Sequence, residues 1–269
     1  MRNGKFREYM DRLTEEIRNE GSRHDFIGRF VVAWTLLSRI PLPRRLWPSE
    51  MPAGNRILPL APLAGGLLGL LVAIEVSVVG SLGLDQPGTI WTGVFFYSVM
   101  GWSLHLDGWG DLWDGVGSGR QEEELRSVMK DSRLGAYGAV GLILAFGLWT
   151  SLAGTVRPDR LPAALIVSAA CGRFACCTAA YKGRYPWESG MGKGMVDTFN
   201  GYDLFVSFLA FFVFMPIAPV RWSFSAAAAI MIGFGMAGWM NSRLGGVNGD
   251  VLGAAAVAAE IASLAVFSA

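Results

Sequence analysis

The chain has 269 residues, of which 52% are hydrophobic and 17% are charged, and its mean hydropathy is +0.38. Its apolar runs are long enough to cross a bilayer core, which takes about 20 helical residues, and they exclude an ordinary soluble domain. The net charge of +1 provides no basic excess, so we expect no nucleic-acid partner.

Residues 1–25 are polar and form a predicted amphipathic N-terminal extension. Phe6, Met10, Leu13 and Ile17 recur there at helical spacing, with basic residues between them. Such a helix lies on a membrane surface, on the protein itself or on a partner helix, and the pattern does not choose among these. We assign residues 26–269 to one membrane-embedded catalytic domain because no linker or internal repeat is visible.

The predicted fold is an all-α polytopic integral membrane protein. The first apolar segment, 26–43, is too short to span comfortably, and we expect an interfacial or re-entrant helix there. About seven transmembrane helices follow, and the candidates are 57–83, 87–104, 134–156, 161–181, 203–220, 223–242 and 250–269. The three cysteines all lie within the fourth candidate, where we expect them to be packing residues.

The distribution of Lys and Arg predicts the orientation. With a cytoplasmic N-terminus and seven crossings, 19 of the 23 basic residues lie on the cytoplasmic side and three lie outside. This asymmetry follows the positive-inside rule for the cell (inner) membrane. The same topology places four polar, Gly-rich segments on the cytoplasmic face, where we expect them to form one site. These segments are 105–120, 129–138, 181–203 and 242–250.

The motif HLDGWGDLWDG, residues 105–115, contains three acids at i, i+4, i+7 spacing, Asp107, Asp111 and Asp114. On a helix these carboxylates share one face and repel each other unless a cation lies among them. Mg²⁺ is a natural partner because it binds oxygen ligands and completes its shell with water and substrate phosphates. An exposed acidic face is the alternative, although acids directly after a spanning segment are usually functional. We predict that all three bind metal and that Asp111 and Asp114 are catalytic.

The motif GGVNGDVLG, residues 245–253, opens the last predicted span. Its glycines leave backbone N–H groups free to approach a phosphate, and Asp250 is predicted to complete the metal site. The predicted phosphate-binding or substrate-binding residues here are Gly245, Gly246, Asn248 and Gly249.

Two further groups of polar residues are candidates for the site. Lys130, Asp131, Ser132 and Arg133 form a compact cluster that either binds phosphate or only flanks the next span. His105 opens the acidic motif, where it either caps a helix, binds a carboxylate or takes part in catalysis, and we assign it a catalytic role.

Arg173 lies within an apolar span and needs a partner, for which Glu75 and Glu260 are the candidates. The sequence leaves two roles open for Arg173: one half of a structural ion pair, or part of a polar wall of the substrate cavity. We include Arg173 and Glu260 among the predicted substrate-binding residues. Acids, glycines and basic residues at one membrane face together suggest phosphoryl transfer to or from a large or partly apolar substrate.

The sequence closely resembles the cobalamin synthase family, the adenosylcobinamide-GDP ribazoletransferases. The resemblance runs from about residue 28 to 262. It is carried by HLDGWGDLWDG, MKDSRLGAYG and LGGVNGDVLGA, together with FVVAWTLLSRIPLP and LPLAPLAGGLLGLL. It implies a membrane enzyme of vitamin B12 synthesis that uses Mg²⁺ to join adenosylcobinamide-GDP to α-ribazole, or to its 5′-phosphate, and that releases GMP. A homo-oligomer, or association with other enzymes of the pathway, stays open.

The chain departs from the family pattern at several positions. Asn248 stands where the family commonly has Thr, and Val257 replaces one of two acids in the last helix. Trp109 and Trp113 are bulky beside the acids, where small residues are more usual.

Two other functions are alternatives to this interpretation of the sequence. A CDP-alcohol phosphotransferase shares the Asp-x-x-Asp-Gly start of its signature with residues 111–115, but the remainder of that signature is missing. An ion or proton transporter would use membrane carboxylates such as Glu75 and Glu260, distributed through the spans.

Overall fold

The computed structural model describes residues 23–48, 54–131, 133–190 and 192–269, and every regular element in these ranges is helical. The predicted all-α class is therefore confirmed, whereas residues 1–22 of the predicted extension lie outside the described residues. The helices are α1 (Arg23–Leu37), α2 (Gly54–Ile57), α3 (Ala61–Ser81), α4 (Gln86–Tyr97), α5 (Ser103–Gly117), α6 (Glu122–Met129), α7 (Ala136–Thr155), α8 (Leu161–Lys182), α9 (Lys193–Val196), α10 (Gly201–Phe212), α11 (Pro219–Arg243) and α12 (Gly249–Ser268).

Helix α8 is the centre of the bundle and is buried almost throughout. It packs against α3, α11 and α12, and its many Ala, Gly, Cys and Ser residues allow these backbones to approach closely. A Cβ at Gly65 of α3 would lie 2.6 Å from the Ala169 carbonyl oxygen of α8. The three cysteines of α8 are all buried and free, which confirms their predicted packing role.

Five of the seven predicted spans are single helices long and apolar enough to cross a membrane. They are Leu58–Ser81, Ala136–Thr155, Leu161–Lys182, Pro219–Arg243 and Gly249–Ser268. The other two predicted spans are interrupted. Helices α4 and α10 have 12 residues each, or roughly 18 Å, which is too short for a ~30 Å bilayer core. Helix α1, with 15 residues, is also short, as predicted for segment 26–43.

The interruption between α4 and α5 is a π-helical stretch, Ser98–Trp102, that contains Gly101. The chain after α1 approaches the backbone here. A Cβ at Gly101 would lie 2.1 Å from the Leu37 carbonyl oxygen, and the Arg39 N–H donates to the Met100 carbonyl at 2.8 Å. Only glycine fits this contact, so the predicted single span divides at this position.

The interrupted segment nevertheless runs the full length of its neighbour α7. Gln86 donates to the Gly154 carbonyl at the C-terminal end of α7 (3.0 Å), and Asp114 accepts from Gly135 and Gly138 at its N-terminal end. The segment from Gln86 to Asp114 therefore joins opposite ends of the bundle. We call the end that carries Asp107, Asp111, Asp114 and Asp250 the motif end.

The second interrupted segment also joins the two ends. Helix α10 packs against the 3₁₀ turn Leu58–Leu60, close to the motif end, and α11 begins at the opposite end, where Arg221 lies over the ring of Phe267. The connectivity expected for seven crossings is thus retained, with two of the crossings built from shorter helices.

The orientation of this bundle remains a prediction, and we expect the motif end to face the cytoplasm. Reporter fusions after Asp85 and after Arg120 should report opposite sides of the membrane, with Arg120 inside, because the segment between them joins the two ends. Alkaline phosphatase and a fluorescent protein provide complementary readouts. Fusions that report the same side would contradict the traversal of α4 and α5.

Candidate active site

The first and last motifs meet where α5 crosses the start of α12. A Cβ at Gly108 would lie 2.7 Å from both Cα and the carbonyl oxygen of Asp250, and a Cβ at Gly253 would lie 3.2 Å from the carbonyl oxygen of His105. Glycines on both helices therefore permit this close crossing. It brings Asp250, which is distant in sequence, to the acids of the first motif, as predicted.

The carboxylates of the two motifs interact electrostatically. Asp107 is exposed, whereas Asp111, which lies beyond the predicted span 87–104, is half-buried. Burial, together with the smaller effect of the negative charges of Asp250, Asp107 and Asp114, raises the pKa of Asp111 to about 7. The four acids are close enough to repel one another, so this region favours the binding of a cation.

Asp114 docks the N-terminus of α7. Its two carboxylate oxygens accept hydrogen bonds from the backbone N–H groups of Gly135 (2.7 Å) and Gly138 (2.8 Å). A Cβ at either glycine would lie 2.3 Å from an Asp114 oxygen, so a larger residue at either position would displace this carboxylate. The contact links two motifs and stabilises a helix start, and the predicted metal-binding and catalytic roles of Asp114 remain predictions.

Asn248 caps α12 and orients Asp250. Its side-chain oxygen accepts from the Val251 N–H (3.0 Å), and its amide donates to an Asp250 carboxylate oxygen (2.7 Å). Asn248 is buried, so this arrangement is fixed by its surroundings. A threonine, common in the family, would have to make both bonds through one hydroxyl, whereas Asn248 uses separate atoms for the cap and for Asp250.

The glycines before Asn248 serve different purposes. Gly245 has a φ of +78°, which favours glycine in the turn, and a Cβ at Gly246 would lie 2.2 Å from the Arg184 carbonyl oxygen. A Cβ at Gly249 would meet nothing within 4 Å. Gly245 and Gly246 are thus accounted for by the turn and by packing, while Gly249 leaves an open backbone surface at the motif end.

The predicted cluster before α7 does not form one group. Asp131 and Arg133 bind each other at the exposed surface (2.6–3.2 Å), and Lys130 lies over the ring of Trp187 at 5.2 Å. Ser132 lies outside the described residues. The contact between this segment and the acidic motif is made by the Gly135 backbone, so the phosphate-binding role of the side chains stays a prediction.

Arg173 forms a fully buried ion pair with Glu260. Tyr97, which was not predicted from the sequence, completes the network. Its hydroxyl accepts a hydrogen bond from Arg173 and donates one to Glu260 at 2.9 Å. The alternative prediction, that Glu75 pairs with Arg173, is wrong. Glu75 lies elsewhere on α3, with its Oε2 close to Gly93. The signal for Tyr97 was its polar hydroxyl within an apolar span, a position that usually requires a hydrogen-bond partner.

A cavity of about 240 Å³ opens beside the crossing of α5 and α12. Its polar lining comes from His105, Asp107, Arg173 and Asp250, and its remaining walls are largely apolar. Arg173 and the first and last motifs therefore contribute to one cavity. Five of the predicted site residues line it: His105, Asp107, Arg173, Gly249 and Asp250.

Trp109 and Trp113, the two bulky departures, pack against α7. The Trp109 indole N–H donates to the Gly141 carbonyl at 2.8 Å, and the Trp113 ring covers the same glycine. They occupy space between helices, which explains how large side chains fit beside the acids. Val257, the other departure, is fully buried in the core.

Among the residues that the structure describes, no three His, Cys, Asp or Glu side chains form a ready-made metal-binding group. The donors near the crossing are nevertheless carboxylates, the ligands that Mg²⁺ prefers. Mg²⁺ is commonly held by one or two carboxylates together with substrate phosphates, and Asp107, Asp111 and Asp250 fit that role.

Comparison with known proteins identifies relatives along nearly the whole chain. Residues 29–268 match the model of the family described as cobalamin-5-phosphate synthase. The adenosylcobinamide-GDP ribazoletransferase of Rhizobium meliloti is 32% identical over 240 residues, covering 85% of this chain and 91% of the relative. The enzymes of that name from Klebsiella pneumoniae subsp. pneumoniae and Acetivibrio thermocellus are 30% and 27% identical, each covering 85% of this chain and respectively 94% and 92% of the relative. No solved structure matches.

Proposed function

Because this chain belongs to the cobalamin-5-phosphate synthase family, we propose that the crossing of α5 and α12 is where it carries out the family's reaction. The protein is a membrane-bound transferase of cobalamin biosynthesis that joins adenosylcobinamide-GDP to α-ribazole. The observation that supports this placement is the meeting of Asp250 with the Asp107–Asp114 motif beside a cavity. We place it in the cell membrane with the motif end cytoplasmic.

The chemistry requires one bond to form and one to break. A hydroxyl oxygen of α-ribazole attacks the phosphorus nearer cobinamide, the bond between the two phosphates breaks, and GMP leaves with the bridging oxygen. The hydroxyl proton passes to a carboxylate of the acid cluster. This balance needs no other reactant, and α-ribazole 5′-phosphate reacts in the same way.

The acids and the α12 N-terminus then have distinct tasks. Asp107, Asp111 and Asp250 would hold Mg²⁺, which neutralises phosphate charge and polarises the P–O bonds. Asn248 orients Asp250, and Asp114 fixes α5 against α7. The first turn of α12 presents the exposed backbone of Gly249, where N–H groups and the helix dipole favour a phosphate.

The rival functions receive less support from the geometry. A transporter that uses membrane carboxylates needs them along a route, but Glu260 is neutralised by Arg173, and Glu75 does not join that network. The acids of the motif end lie instead at one helix crossing.

The reaction can be tested with the purified full-length protein in lipid nanodiscs. Adenosylcobinamide-GDP and α-ribazole with Mg²⁺ should yield GMP and adenosylcobalamin in equal amounts, and omission of α-ribazole should abolish GMP release. Transfer of a CDP-alcohol phosphate, or GMP release that does not depend on α-ribazole, would contradict the proposal.

Gly249→Ala tests whether phosphate approaches the α12 backbone. The added methyl group meets no protein atom within 4 Å, and alanine favours a helix, so the melting temperature should not fall. The KM for adenosylcobinamide-GDP should rise about tenfold, as expected when a phosphate loses close backbone contact. Gly147→Ala on α7, which is equally open, is the matched control. An unchanged KM would separate Gly249 from the phosphate site.

A further inference from the structure

We propose that the cavity beside the crossing of α5 and α12 is the acceptor site, and that it binds the dimethylbenzimidazole base of α-ribazole. This inference rests on the proposed function. It adds the identity of the substrate that occupies the cavity and the orientation in which that substrate binds. The base points inward towards Arg173, and the ribose lies at the side of the cavity that carries Asp107 and Asp250.

The size of the cavity limits the occupant. Its volume of about 240 Å³ is below the ~300–1,000 Å³ typical of pockets for drug-sized ligands. A corrin macrocycle or a complete dinucleotide is larger than this space, so only part of either substrate could occupy it. One flat bicyclic ring system, carried by either substrate, is the kind of group that fits.

The walls distinguish between the ring systems of the two substrates. Leu37, Leu58, Ala61 and Leu252 provide apolar surface, and each is almost fully buried. Guanine carries several donors and acceptors, and these walls would leave without partners those that do not reach the few polar residues of the lining. Dimethylbenzimidazole presents two methyl groups and a single free ring nitrogen, so it matches the apolar lining.

The cavity also contains buried polar groups that lack partners. Arg173 is 0% exposed, and neither its Nε nor its Nη2 has a hydrogen-bond partner within the described part of the chain. The same holds for Nε2 of His105, which is 5% exposed. Buried polar atoms of this kind are rare unless a ligand or water satisfies them. They lie just beneath the cavity surface, so the free ring nitrogen of the base accepts a hydrogen bond from Arg173 once the base displaces the atoms that cover it.

The charge balance favours a neutral group over a phosphate. The charge of Arg173 is matched by Glu260, so the inner part of the cavity is neutral overall. The remaining charged side chains of the lining, Asp107 and Asp250, are acids. A phosphate buried at the inner end would therefore lie away from the acids that would hold Mg²⁺ and would lack a compensating cation. The uncharged base fits inside, and it leaves the ribose hydroxyl beside the acids where the phosphate chemistry is proposed.

Direct binding measurements test this assignment without turnover. The wild-type protein in nanodiscs is titrated calorimetrically with α-ribazole, with the riboside that lacks both methyl groups and with a purine riboside. Burial of the methyl groups predicts about tenfold weaker binding for the demethylated compound and still weaker binding for the purine. A purine riboside that binds as tightly as α-ribazole would overturn the assignment, and this series requires no variant.

A cavity-filling variant locates the binding. Ala61→Leu should weaken α-ribazole binding at least about tenfold, because the added carbons occupy the space for the base. Binding of adenosylcobinamide-GDP should remain, and Ala227→Leu, the same change at an exposed position of α11, should bind both substrates normally. Normal α-ribazole binding by Ala61→Leu would overturn the assignment. Failure of the wild type to bind either substrate would instead refute the proposed function.

Discussion

An Asp111→Asn variant should lose at least about 100-fold of turnover, the scale seen when one electrostatic group that acts on a transition state is removed. Asp111 lies among three other acids, where its carboxylate is placed to help hold a cation or to accept the hydroxyl proton. Asparagine keeps the shape of the side chain but removes the charge. GMP release at saturating substrates and Mg²⁺ measures the effect.

The stability of the same variant should change in the opposite direction. The folded-state pKa of Asp111 is raised to about 7, above its ordinary value, so the ionised group opposes folding increasingly as the pH rises towards 7. Removal of the charge should leave the melting temperature in EDTA unchanged or higher at pH 7. Glu124→Gln, an exposed acid on α6, should alter neither activity nor stability. Near-normal turnover by Asp111→Asn would remove Asp111 from the site.

Replacement of Arg173 with methionine should destabilise the protein by about 3–5 kcal/mol, since it leaves the fully buried Glu260 without its cation. Addition of Glu260→Gln to this variant removes the unpaired charge and retains an acceptor for the Tyr97 hydroxyl. The double variant should therefore recover most of the lost stability. Thermal unfolding followed by fluorescence in detergent compares the three proteins.

The double variant also separates folding from substrate binding. If Arg173 serves only as one half of a structural ion pair, the double variant, with its stability restored, should bind α-ribazole as the wild type does. If its unpartnered N–H groups contact the base, α-ribazole binding should remain weak after stability has returned. Full stability of the single Arg173→Met variant would contradict the buried pair.

The helical class and most spans were predictable because the apolar runs are long and uninterrupted. The division at Gly101 was not, since it depends on the approach of the Leu37 carbonyl, which is distant in sequence. The end of α10 at Phe212 was missed because hydropathy alone defined the span 203–220, although Pro216 and Pro219 within it disfavour a continuous helix. The ring of Phe214 covers Gly66 of α3, a tertiary contact that hydropathy does not reveal.

The candidate site shows the same division between local and tertiary information. The spacing of Asp107, Asp111 and Asp114 predicted a shared helix face, and the predicted topology brought Asp250 to the same end. The backbone contacts of Asp114 with α7 could not be predicted, because they depend on how two helices cross. Glu260 was one of two candidate partners for Arg173, and only packing decided between it and Glu75.

If Asp250 and the first motif share one cation, the Mg²⁺ requirement of the enzyme depends on Asp250. Mg²⁺ activation curves for the wild type, Asp250→Asn and Asp85→Asn test this sharing, because Asp85 is also an acid at a helix start but caps α4 at the opposite end. We expect Asp250→Asn to need about tenfold more Mg²⁺ for half-maximal GMP release, as loss of one carboxylate ligand implies, and Asp85→Asn to match the wild type. Superimposable curves for all three, with only a lower melting temperature for Asp250→Asn, would contradict this sharing and leave Asp250 as a helix-start residue.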